Sequence, residues 1–165
     1  LNLFVKNQTC VLVIVADGFE ETQTVMTLSL LRQAGLCVKS VGLTSGLIGG
    51  AHGVRLMPDL TFTELDRLTT SIRLVFLPSG RQSLTRLEAD PRVHRLLRRV
   101  VAQQGQIVTG PEGLRVSRAA ALWVSASGED VDDDQRTPVL LRDPNQPPEV
   151  FTRELIQRLK RSDWI

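Results

Sequence analysis

The sequence predicts an open, doubly wound α/β domain: a mostly parallel sheet with helices on both faces. Three observations predict it. Val11–Val15 is a continuous apolar run rich in β-branched residues, and Ile72–Leu77 and Gln106–Thr109 are further strand-like runs. Such runs suit strands covered on both faces. Each run stops at turn residues, Asp17-Gly18, Pro78-Ser79-Gly80 and Gly110-Pro111. The strands recur at intervals of roughly 25–40 residues, enough for a helical crossover between parallel neighbours.

The first unit runs from Val11 to Val41. From Glu20 a helical pattern begins, with Val25, Leu28 and Leu31 as its apolar face and Gly35 as its stop. Leu36–Val41 is the second strand, closing a β-α-β crossover. Gly42 to Gly53 is rich in Gly and Ser and predicts a small hairpin excursion into Val54–Met57. Pro58-Asp59 leads to a short helix near Phe62–Leu68. After the strand Ile72–Leu77, Asp90 and Pro91 supply an N-cap and a first helical residue. Val93, Leu96, Leu97, Val100 and Val101 give that helix its inner stripe, and Gly105 ends it. Beyond Thr109 the pattern is less regular. Ala119–Val124 fits helix or strand, Gly128–Arg136 an acidic loop, Val139–Leu141 a short strand and Asp143–Pro148 an irregular link. A final helix starts at Pro148 or Glu149 and runs through Lys160.

The 165 residues make one domain spanning 1–165, long enough to bury a core without staples. Hydrophobic residues at 42% and charged residues at 23% exclude a disordered chain. No apolar run reaches the roughly 20 residues of a membrane span. Basic and acidic residues interleave, 20 against 18, and aromatics are 4% with no Tyr. No nucleic-acid surface is expected from that composition. Cys10 and Cys37 sit in strand-like stretches with no CxxC and no Cys/His cluster, and are expected as buried, reduced thiols. No basic region precedes an apolar one at the start, so no export signal is expected and the cytoplasm is the expected compartment.

Four segments together cover about two-thirds of the chain and resemble the DJ-1/PfpI superfamily. They are VLVIVADGFEETQTVMTLSLLRQAGLCVKSVG (residues 11–42), PDLTFTEL (58–65), RLVFLPSG (73–80) and the helix from Leu87 to Gln106. The resemblance implies a flavodoxin-like fold shared with class I glutamine amidotransferase domains. It also implies a nucleophilic cysteine on a sharp strand-to-helix turn, where a helix N-terminus lowers the thiol pKa. An acid from the first turn would orient that thiol, and backbone N–H groups after the third strand would form an oxyanion site. The turn falls at Ile107–Leu114, IVTGPEGL, which contains no Cys. Gln23 stands where the orienting Glu is expected, beside Glu20 and Glu21. Ser79 replaces the first Gly of the oxyanion pair and Gly80 keeps the second. The family's downstream His has no counterpart, and a shortened, atypical region spans about 114–148.

The candidate pocket is therefore Glu20, Glu21, Gln23, Ser79, Gly80, Gly110, Pro111 and Glu112, with no catalytic residue, metal or cofactor assigned. The expected function is that of a non-catalytic domain of this superfamily, binding a small molecule or another protein, and forming a homodimer. One alternative is a lyase or hydrolase using Glu20, Glu21 or Glu112 for acid–base work or a metal; helix N-terminal acids favoured by the macrodipole explain the same residues. Another is a structural subunit, with Trp123 and Trp164 as anchors. Thr109 and Ser117 are hydroxyls without a His partner in sequence, and poor nucleophiles as such. Glu129–Asp134 lacks cation-loop spacing and reads as a solvated loop. Arg92, Arg95, Arg98 and Arg99 around His94 read as a solvated helix face whose stems cover apolar surface.

Overall fold

In a computed structural model the described residues are 9–122 and 138–161. The apolar run forms β1 (Thr9–Val15). After it come α1 (Glu21–Gln33) and β2 (Cys37–Gly42). A two-stranded antiparallel hairpin, β3 (Ile48–Gly49) and β4 (Arg55–Leu56), occupies the glycine-rich excursion. β5 (Leu60–Thr61) runs directly into α2 (Phe62–Leu65), whose Thr61 and Glu64 close a capping box. β6 (Ser71–Leu77), α3 (Arg81–Ala89), α4 (Pro91–Ala102) and β7 (Gln106–Thr109) follow. A 3-10 turn (Pro111–Gly113) leads to α5 (Leu114–Ala119), and β8 (Val139–Leu141) and α6 (Pro148–Arg161) complete the order.

The main sheet has strand order β5-β2-β1-β6-β7-β8, and every pairing in it is parallel. Alternation along β1 explains why its sequence is apolar throughout. Leu12, Ile14 and Ala16 enter one core, with α2, α3, α4 and α5. Val11, Val13 and Val15 enter the other, with α1 and α6. Successive side chains leave a strand on opposite faces, so a strand between two cores has no polar positions to spare. The expected helix-start signals hold at α4, where Asp90 Oδ1 accepts from the Arg92 N–H and Pro91 fills the first turn.

Three expectations are corrected. Val25 is 45% exposed, and α1 instead buries Gln23, Thr24, Thr27, Leu28 and Leu31. A three-residue step lags the 3.6-residue turn, so 25, 28 and 31 drift around the helix. The helix expected from Leu87 to Gln106 is divided at Asp90: α3, which starts at Arg81 without an apolar stripe in sequence, ends at Ala89, and α4 runs from Pro91 to Ala102. Most consequentially, Cys10 and Cys37 are joined in a disulfide, not reduced. They are direct partners in the β1–β2 register, with Cα atoms 4.8 Å apart, so both side chains meet at the start of adjacent strands. Among the described residues no helix is long and apolar enough to cross a membrane. Glu129–Asp134, Trp123 and Trp164 lie outside the described residues.

Candidate functional site

The carboxyl ends of β1, β6, β7 and β8 lie side by side, and the segments after β1, β6 and β8 build a cleft of about 380 Å³. Open parallel sheets place ligands at this end. The turn after β1 is held to the turn after β6: the Glu20 N–H donates to the Ser79 carbonyl at 2.9 Å. Gly80 makes the approach feasible. Its φ is +125°, and a Cβ there would stand within van der Waals radii of the Gly18 carbonyl oxygen. Glycine alone tolerates both conditions.

Gln23 is the centre of this junction. It is 2% exposed, in the first turn of α1, and its Oε1 accepts the Ser79 N–H at 2.7 Å. That bond fixes the orientation of the amide, because only the oxygen can accept. Its Nε2 is buried and has no partner among the described residues. Arg142, directly after β8, reaches the same cleft. Its backbone N–H donates to the Thr109 carbonyl and Nη1 donates to the Gln146 carbonyl at 2.7 Å, while its buried Nε has no partner among the described residues. Pro144, Pro147 and Pro148 stiffen the opposite rim.

The other candidates separate. Glu20 lines the cleft, but both its oxygens cap α1, accepting from the Thr22 N–H at 3.1 Å and the Gln23 N–H at 2.6 Å. Glu21 turns away to the hairpin, where it accepts from the His52 N–H and bonds His52 Nδ1 at 2.8 Å. Burial pushes the Glu21 carboxyl up, but the His52 hydrogen bonds and charge more than offset this, leaving it down at about 2. The Glu21 hydrogen bond and charge raise His52 in turn. Gly110 is buried, and a Cβ there would stand 3.6 Å from Ser79 Oγ. Pro111 and Glu112 are exposed and do not line the cleft. The three acids weighed for acid–base work thus do not converge.

The turn after β7 is relaxed. Gly110 has φ −79°, and no residue from Thr109 to Gly113 has a positive φ. A nucleophile elbow is a sharp, strained turn. Thr109 is 1% exposed and donates Oγ1 to the Leu77 carbonyl, and Ser117 is fully buried. Both are packing residues. The disulfide lies at the other end of β1, about 20 Å away at 3.3 Å per residue. Among the described residues no three His, Cys, Asp or Glu side chains gather as a metal set. Sequence reasoning missed Arg142, which fell between the expected strand Val139–Leu141 and the irregular link from Asp143; an Arg directly after a short apolar strand, followed by Asp-Pro, was the available signal.

A parallel sheet with a cleft at this junction defines a DJ-1/PfpI-type flavodoxin-like domain. The chain belongs to the DJ-1/PfpI family, whose model matches residues 9–119. It is similar to the oxidised DJ-1 of Toxoplasma gondii (18% identity, TM-score 0.76, covering 91% of this chain and 90% of that one). It is similar also to Drosophila melanogaster DJ-1beta (21%, TM-score 0.75, 92% and 90%). These two likenesses establish the fold alone. A cysteine-to-alanine mutant of the DJ-1 superfamily protein STM1931 from Salmonella typhimurium shares 28% identity at TM-score 0.62, over 68% of this chain, which spans 60% of that one. No curated protein matches the chain.

Proposed function

We propose that this chain is a catalytically silent member of its family that acts by binding a small molecule in the cleft of Glu20, Gln23, Ser79 and Arg142. The observation that carries the reading is the hydrogen bond from the Ser79 N–H to Gln23 Oε1. In the family pattern that N–H belongs to an oxyanion site, and position 23 holds an acid. Here an amide, which cannot hold or move a proton as an acid does, takes the N–H for itself. The site then has neither the acid nor the free donor that thiolate chemistry needs. Both cysteines are bonded to each other at the far end of the sheet, which agrees. Methylglyoxal, amide and ester substrates should show no turnover above a buffer blank. Turnover abolished by Glu20→Gln would instead favour chemistry by pocket carboxylates.

The same reading has the chain pair with a second copy. Val25 on α1 and Leu47, Val54 and Met57 around the hairpin are 45%, 54%, 48% and 64% exposed. The hairpin docks on the turn before α1, the Gly18 N–H donating to the Gly49 carbonyl at 2.7 Å. Exposed apolar side chains on α1 and on the hairpin that docks before it suit an interface.

A further inference from the structure

We infer that the cleft binds a small organic acid as its monoanion, with the carboxylate held between Gln23 Nε2 and Arg142 Nε. The inference rests on the binding reading above and names the ligand class. Gln23 and Arg142 both line this cleft, and each carries a buried N–H, Nε2 and Nε, with no partner among the described residues. Leaving such buried donors unmet is costly, and more so for a charged group. The Gln23 amide cannot turn over to relieve its own, because its oxygen is committed to Ser79. Both groups are donors, so what meets them is an acceptor. A carboxylate has two acceptor oxygens and forms its strongest hydrogen bonds with guanidinium.

The charge of the lining chooses among acceptors. Among the described residues of the lining, Arg142 is the one cation and Glu20 the one anion. A monoanion meets Arg142 without crowding Glu20, whereas a phosphate dianion adds a second negative charge beside that carboxylate. Glu20 also offers an acceptor to a ligand hydroxyl. The cleft volume of about 380 Å³ lies at the small end of ligand sites, which suits a compact acid.

The test is a side-chain NMR titration of the full chain, disulfide intact, labelled with nitrogen-15. Acetate, lactate and pyruvate are the probes, with inorganic phosphate as the competitor class. The Gln23 side-chain amide and the Arg142 Nε–H should shift together and saturably with at least one of the three acids, and phosphate should bind about tenfold more weakly. Gln23→Glu keeps an acceptor for Ser79 but replaces the donor with an acceptor, and should weaken the acid by about tenfold or more. Backbone amide shifts outside the cleft report whether that variant folds; the unaltered chain tests the site regardless. No saturable shift of either resonance up to about 100 mM of any acid overturns the proposal. So does phosphate binding as well as the acids, or an unchanged affinity in folded Gln23→Glu. Consumption of the acid would overturn catalytic silence and leave the site standing; absent binding by an inert protein would do the reverse.

Discussion

His52 keeps 79% of its side-chain surface in solvent, while Glu21, its partner, keeps 10%. Their bond ties the exposed turn of the hairpin to the start of α1. The stability it contributes has a defined pH window. Glu21 is lowered to about 2, so its contribution is complete above the ordinary 4.5 and lost as pH falls toward 2. His52 is raised, so its contribution is complete below the ordinary 6.5 and lost as pH rises through its higher value. The pair is therefore strongest between pH 4.5 and 6.5. An NMR titration of the His52 ring should give a midpoint above 6.5 that returns toward 6.5 in Glu21→Gln. A wild-type midpoint at or below 6.5 would contradict the geometry. At this scale the sequence was readable only in part. Ser79, Gly80 and Gln23 stood out against a family pattern, and the structure brings them together. Glu20 and Glu21 are adjacent in sequence, but successive residues on a helix start diverge by about 100°, so one lines the cleft and the other leaves it.

The β-α-β unit from Thr9 to Gly42 was the most legible element, because its signals agree: a buried strand, a helix with a Gly stop, a second strand. It also hid the largest surprise. Adjacent strands from one crossover start level with each other, so cysteines near both starts are brought into register. That inference needs strand adjacency, which composition and cysteine spacing alone do not supply. α3 was illegible for a different reason: of its nine residues only Ser83, Leu84 and Leu87 are buried, too few to print a stripe. The disulfide closes a loop with a sequence separation of 27, for which chain entropy gives about 3–4 kcal/mol. Reduction, or Cys10→Ser with Cys37→Ser, should lower Tm by about 10 °C while far-ultraviolet circular dichroism keeps the folded signal. A Tm unchanged within about 2 °C would show that the bond adds nothing to the native state.

At the scale of the whole molecule, two cores flank one sheet and leave its carboxyl edge free for a cleft. The fold was legible because the central strand, buried on both faces, is apolar from Val11 to Val15, and the other strands recur at crossover spacing. The cleft was half legible: the β1 and β6 turns carry family motifs, whereas Arg142 directly follows the short strand β8 and reaches the site through β7–β8 pairing. Self-association belongs to this scale too. Sedimentation at roughly 100 μM should give twice the 18.3 kDa chain mass, and Val25→Glu with Met57→Glu should give the monomer; a wild-type monomer would remove the dimer from the account. The central claim is that the family's scaffold persists here without its sulfur chemistry, since Gln23 holds the Ser79 N–H and the two thiols are spent on each other. Methylglyoxal consumption, followed at micromolar protein with the disulfide intact, tests it most directly. The account predicts a rate equal to the buffer blank; saturable consumption that disappears in Gln23→Leu would contradict it.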